Sequence, residues 1–272
     1  MYRYAFVLFA ALTVSAGSVS AASYQMIDGT IVDPIQNTYG GTHSYWGVTL
    51  KPNFPVDGNP PRRGYHSHDL SYARLDYVNL FSAAIAGMDF RYASMRFANL
   101  SNISFSYPAA PWNPNSGDYI QIAKLEGSNL SHSNLSFSIL RGVPLNGASL
   151  EFSSVALVNF SFADLSSADL SNAFSFMATY DFANLLDATF ENAYLFGSDF
   201  SEALSVQNAT WTGAKYSLNA VDNNGNPIPD TVFPAGMDQA WRDAAGMVAV
   251  PEPTTAVLVG LGLMGRGVRG RS

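Results

Sequence analysis

The sequence predicts an all-β fold in which the chain winds into a stacked coil with a capping segment at each end. Three observations predict it. Apolar side chains recur every five residues over most of the middle of the chain. A small residue stands two positions before nearly every one of them, and the positions between are mostly Asn, Asp, Ser and Glu.

The series runs Leu70, Leu75, Leu80, Ile85, Phe90, Met95, Leu100, Phe105, and again from Leu125 through Leu165 and Leu170 to Phe200 and Ser205. Ala163, Ala168, Ala173, Ala178, Ala183, Ala188 and Ala193 hold the small position without a break. A helix advances about 500° in five residues, so successive leucines would wind around it and leave no apolar face. A flat strand fails as well. Its side chains alternate, and an odd period sends successive leucines to opposite faces. Only a backbone that turns a corner once per unit returns each apolar side chain to one interior, and stacked coils then bury one continuous column. Coils only about 4.8 Å apart leave a narrow interior, which explains the small residue.

The tandem Ala163-Asp164-Leu165-Ser166-Ser167 and Ala168-Asp169-Leu170-Ser171-Asn172 resembles the pentapeptide-repeat proteins, and the resemblance covers about residues 70–216. It implies a right-handed quadrilateral β-helix with four units per coil. The central Leu or Phe and the preceding small residue would point inward and the other three outward.

Domain by domain, residues 1–22 read as a signal peptide. Arg3 is followed by an apolar run from Ala5 to Val14 and by small residues up to Ala21 and Ala22. That run is shorter than a membrane span needs. Residues 23–67, rich in Gly, Pro, Asn and aromatics, read as a cap over an open coil end, with a strand over Thr42 to Leu50. Residues 68–216 form the β-helix. Pro108, Pro111 and Pro114 punctuate its stretch 106–122, which is a loop or a distorted coil. Phe105 to Leu125 spans four whole units, so the register survives and one column of about seven coils follows. Trp211 and Tyr216 hold a phase shifted by one residue. Residues 217–249 read as a C-terminal cap and linker, with a short helix near Asp238 to Ala245.

Residues 250–272 carry Val250-Pro251-Glu252-Pro253, an apolar run from Ala256 to Gly265, and Arg266, Arg269 and Arg271. This order resembles the PEP-CTERM sorting tail of Gram-negative bacteria that make extracellular polysaccharide. The resemblance implies transient anchoring by the apolar run, with the arginines on the cytoplasmic side. It also implies processing by an exosortase near Pro-Glu-Pro. The run is shorter than a full span and its arginines are dispersed. The expected partners are therefore the secretion machinery and an exosortase, and the expected location is the cell surface or extracellular matrix.

Of the 272 residues 13% are charged, the net charge is −7 and there is no cysteine. The acidity argues against a general nucleic-acid binder. The absence of Cys excludes disulfides and thiolate metal sites. Some cytoplasmic pentapeptide-repeat proteins are thought to mimic DNA, a role the signal peptide argues against. His66-Ser67-His68-Asp69 could present two imidazoles and a carboxylate on one strand edge, but no second ligand group accompanies it, so no metal site is assigned. No nucleophile motif or phosphate-cradling loop is visible, and neither a catalytic site nor a cofactor is expected.

Residues twenty apart should stack on one face. Tyr72 pairs with Tyr92 in this way, Tyr77 with Phe97, and Phe162 with Phe182; Phe137, Leu157 and Met177 also align. Such aromatics either stabilise the sheet as cross-strand pairs or offer a ligand face for sugar rings. The function read from the sequence is an exported, non-enzymatic structural or interaction protein. The alternative is a module binding extracellular polysaccharide through exposed aromatic ladders, and other surface proteins are further candidate partners.

Overall fold

A computed structural model describes residues 23–40, 42, 50, 69–83, 85–106, 122–219 and 226–250. The expected signal peptide, most of the strand over Thr42 to Leu50, His43, His66, His68 and the tail beyond Val250 lie outside the described residues.

Each unit contributes one short extended segment and one corner. Leu165 N donates to Asn184 O at 2.9 Å and Asn184 N donates to Ala163 O at 2.9 Å, so neighbouring coils are joined by a parallel ladder. At the corner, Ala168 N donates to Leu165 O at 3.0 Å. The residue two after the centre, here Ser167, has φ 55°. A β-turn whose third residue is left-handed has type II geometry.

Four columns of parallel bridges result. One runs Asp69, Asp89, Lys124, then Pro144, Asp164, Asn184 and Leu204, which makes seven levels. The body is a right-handed quadrilateral β-helix. At about 4.8 Å per level, its axis is on the order of 30 Å long.

The seven levels are reached by a different route from the one expected. Asp69 pairs with Asp89, twenty residues on, but Asp89 pairs with Lys124, thirty-five residues on. Phe105 and Leu125 therefore belong to consecutive faces. The chain leaves the ladders after Ser106 and rejoins them at Ile122, where these two residues form an antiparallel bridge, and Ala123 N donates to Phe105 O at 2.8 Å; the fifteen residues of this excursion, 107–121, lie outside the described residues. The five-residue phase survives because fifteen is a multiple of five.

At the top, a 3-10 turn over Val206–Asn208 adds one residue. Ser205, expected as a centre, is a left-handed corner, and Val206 takes the interior place. The extra residue explains the shifted phase of Trp211 and Tyr216: Thr210 pairs with Thr189 and Lys215 with Tyr194, each twenty-one apart. Val232, which pairs with Asp199, completes the seventh level from beyond residue 216.

At the lower end, β1 (Tyr24–Gln25) pairs antiparallel with β2 (Ile31–Val32). β3 (Gln36–Asn37) pairs with β4 (Ala73–Arg74), which belongs to the first coil. Tyr24, Ile35 and Leu50 join the buried core. At the upper end, β5 (Lys215–Ser217) is followed by α1 (Gln239–Ala244) and β6 (Val248–Val250). Asp238 caps α1, accepting from Trp241 N at 2.8 Å. β6 lies parallel on β5, with Ser217 opposite Val250, and so begins an eighth level on one face only.

The interior differs along the axis. Lower levels bury Leu70, Leu75, Leu80 and Met95; upper levels bury Tyr180, Phe190, Phe200 and Trp211. Ser175, an exception to the apolar series, is 2.9 Å from the buried Tyr180 hydroxyl and 3.0 Å from Ser198 Oγ. The polar centre is thus paired inside the column.

Candidate functional site

The polar residue before each centre has a local task. The N–H of the residue after the centre points away from the ladder, and the Asn or Asp side chain two residues earlier accepts it. Ser131 N donates to Asn129, Ser136 N to Asn134, Ser166 N to Asp164 and Ser171 N to Asp169, at 2.9–3.1 Å. These are Asx turns, and they favour the bend that the unit requires.

Corner residues stack in columns. Tyr72 and Tyr92 have centroids 5.0 Å apart, Tyr77 and Phe97 5.0 Å, and Phe162 and Phe182 5.1 Å. The Tyr77 column continues past the excursion, with Phe97 to His132 at 4.7 Å and His132 to Phe152 at 4.9 Å. Spacing by twenty could not find His132, because the excursion makes the step thirty-five. Arg141 lies 4.2 Å over the Phe162 ring. These residues are left-handed, with φ between 53° and 65° at Tyr72, Tyr77, Phe97, His132, Phe162 and Met177. An aromatic residue in that region bears a penalty of about 1–3 kcal/mol, which stacking at about 0.5–1.5 kcal/mol per pair partly offsets.

The Tyr72–Tyr92 and Tyr77–Phe97 pairs flank one face of the two lowest levels. Phe162 and Phe182 stand at the corner diagonal to Tyr77, at the fourth and fifth levels, and do not join them. The six residues therefore form two separate places. Between the lower pairs lies a polar strip. Arg96 Nη2 contacts Asp76 Oδ2 at 3.0 Å, and Ser94 Oγ donates to Asp76 Oδ1 at 2.5 Å. Burial pushes the Asp76 carboxyl up, but the hydrogen bonds from Arg96 and Ser94 outweigh it and hold the carboxyl below its ordinary range. On the neighbouring face, burial and the Arg91 contact oppose each other at Asp89 in the same way, and the net direction is again downward.

Rings 4.7–5.0 Å apart and nearly parallel overlap in offset stacking. The faces of Phe97 and His132 lie against their neighbours, so solvent meets mainly their edges. Among the described residues no three His, Cys, Asp or Glu side chains come together as a metal site, and no helix is long and apolar enough to cross a membrane.

A second aromatic group, missed in the sequence, lies outside the column on the face that carries β5. Phe174, Phe176, Tyr194 and Phe196 project from adjacent levels there, Ile228 and Val250 pack with Phe196, Phe176 and Tyr194, and Lys215 Nζ sits 4.4 Å over Tyr194. Phe196 is 1% exposed although its position should face outward. The signal was present as aromatics at outward positions twenty apart, Phe174 with Tyr194 and Phe176 with Phe196. Val250 is the first residue of the expected sorting motif. It is held in β6 on this outer group.

The model for pentapeptide repeats matches residues 123–151 and 145–174, and that for the PEP-CTERM protein-sorting motif matches residues 249–272. The chain carries pentapeptide repeats and a PEP-CTERM motif. The motif assigns it to export across the inner membrane, transient membrane anchoring and sorting to the cell surface or extracellular space, with processing by an exosortase. Solved structures similar to the chain include HetL, a pentapeptide repeat protein involved in heterocyst differentiation regulation from the cyanobacterium Nostoc sp. strain PCC 7120. It is 23% identical over 54% of this chain and 71% of that one, with a TM-score of 0.29. Full-length QnrB1, a plasmid-mediated fluoroquinolone resistance protein, is 15% identical over 64% and 90%, with a TM-score of 0.30. A pentapeptide repeat protein from the Arabidopsis thaliana thylakoid lumen is 18% identical over 55% and 77%, with a TM-score of 0.25. No curated protein matches the chain.

Proposed function

We propose that this pentapeptide-repeat chain is a non-enzymatic surface or matrix element, a rigid spacer that holds its two ends apart. One observation carries the reading. The parallel ladders run through seven levels without a break, across both the excursion at Phe105 and the phase shift at Val206. The segment 23–67 and the segment 217–249 act as caps in this reading. It is supported by the pairing of β3 with the first coil and by α1 and β6 at the last.

The experiment is fractionation of tagged protein in cells with and without the exosortase. The expected result is a membrane-held precursor without the enzyme, and a shortened body at the surface or outside the cell with it. Equal distribution in both strains would remove the sorting argument.

Polysaccharide binding at the Tyr72, Tyr92, Tyr77 and Phe97 strip is the second reading. Two aromatic rails beside the Asp76–Arg96 pair favour it; the mutual stacking of the rings weighs against it, because sugars pack on ring faces. Replacing Tyr77 and Phe97 by Ser should leave retention on the cell's polysaccharide unchanged if the rails serve only stability. The Phe162→Ser, Phe182→Ser variant tests the distant pair in the same assay.

A further inference from the structure

The corner between the face that carries β5 and the next bears an apolar strip, with Phe137 at 53% exposure, Leu157 at 38% and Met177 at 36%. Ile139 beside Phe137 is 40% exposed. These stand at the third, fourth and fifth levels of one corner. The column does not end at Met177. Gly197 follows it at φ +67°, and the missing side chain is replaced by another stretch of chain. A Cβ there would lie 3.1 Å from Met177 Cγ, 3.3 Å from Pro229 O and 3.4 Å from Pro229 Cβ. The segment at Ile228 and Pro229 therefore already covers the top of this strip. Ile228 in turn packs with Phe196 and Val250.

Val250 is also the last described residue before the sorting tail, and its strand β6 lies at the eighth level of the adjoining face. The tail thus begins beside the covered end of an exposed apolar strip. Its first six residues, Pro251 to Ala256, span at most about 20 Å. Four levels down, at about 4.8 Å each, is about the same distance and ends at Leu157. The apolar run from Ala256 to Gly265 then lies within reach of Leu157 and Phe137. In water both surfaces gain by covering each other.

We infer that, off the membrane, the apolar run of the sorting tail folds back on the strip of Met177, Leu157 and Phe137. The body then shields its own anchor, and anchoring becomes a competition between this strip and the lipid. This extends the route set by the PEP-CTERM motif and does not depend on the spacer reading.

The chain has no cysteine, so an introduced pair of thiols is unique. The precursor, with its tail intact, is taken from cells lacking the exosortase and carries Leu258→Cys with Leu157→Cys. A control pair joins Leu258→Cys to Asp187→Cys, an exposed site on the diagonally opposite corner and two levels nearer the tail. A short bis-maleimide should join the Leu157 pair within the monomer at least tenfold faster than the Asp187 pair. Adding Phe137→Ser and Met177→Ser should bring the rate down to that of the control. Equal rates for the two pairs would overturn the inference. So would product found only as dimers, which would assign the strip to a second copy of the chain.

Discussion

The column holds aromatic rings in two settings, stacked in its interior and stacked on its outer corners. In the upper levels a stack fills the interior. Phe160, Tyr180 and Phe200 stack at 5.2 and 4.3 Å, Phe233 continues the stack at 5.8 Å, and Phe190 lies on Trp211 at 4.5 Å. In the lower levels the rings of Tyr77, Phe97, His132 and Phe152 are outside at one corner, while the same corner above carries Asn172, Asn192 and Gly213. An inner ring sits at an extended centre and gains full burial. An outer ring sits at a left-handed corner, stays about half exposed and must offset strain by stacking. The same residue type at the same twenty-residue spacing should therefore differ several-fold in what it contributes.

The largest effect should come from the inner stack. Phe200→Ala removes a fully buried ring that touches Tyr180 and Phe233, and should destabilise by about 3–5 kcal/mol in a urea melt. The next tests the corner itself. A Cβ at Gly127 would lie 2.5 Å from the Tyr92 ring, whereas one at Gly147 would meet nothing within 4 Å. Both have positive φ, so Gly147→Ala should lose about 1 kcal/mol from strain and Gly127→Ala clearly more. Combining Gly127→Ala with Tyr92→Ala should recover the difference, as a double-mutant cycle would show. Smaller still, Phe97→Gly should change stability by less than about 1 kcal/mol, because lost stacking is offset by relief at φ 57°. A loss as large as that of Phe200→Ala would erase the contrast between the two settings.

The smallest expected effect is electrostatic. The folded Asp76 carboxyl is held below its ordinary value of 3.8, so its contribution is complete above that pH. It is lost as pH falls from about 4 through the lower folded value. Asp76→Asn should flatten that acid limb in pH-dependent melts and leave the profile above pH 5 unchanged in shape.

The interior and its coil period were legible in the sequence because burial imposes a strict spacing on Leu, Phe and Ala. The pairs at Tyr72, Tyr77 and Phe162 were legible for the same reason, since a residue twenty positions away is a neighbour. The step that joins Phe97 to His132 was not, because phase is counted modulo five and levels modulo twenty. The fifteen-residue excursion preserves the first count and breaks the second. The helix expected near Asp238 to Ala245 is found over Gln239–Ala244, where Asp238 caps its first turn. The outer cluster of Phe174, Phe176, Tyr194 and Phe196 was obscured because outward positions are assigned to solvent, and only the path of Ile228 and Val250 covers them.

The four-cornered coil has a consequence for how such a chain can change length. Removing one circuit of twenty residues, such as 145–164, brings Leu125 and Leu165 into adjacent levels and shortens the axis by about 4.8 Å with every side chain still on its own wall. Removing a single unit of five below Phe162 would rotate everything above it by a quarter turn and set Ser167 and Asp187 where Phe162 and Phe182 now stack. Inherited size differences among such proteins should accordingly come in whole circuits, or in loops that leave and rejoin the wall at the same edge.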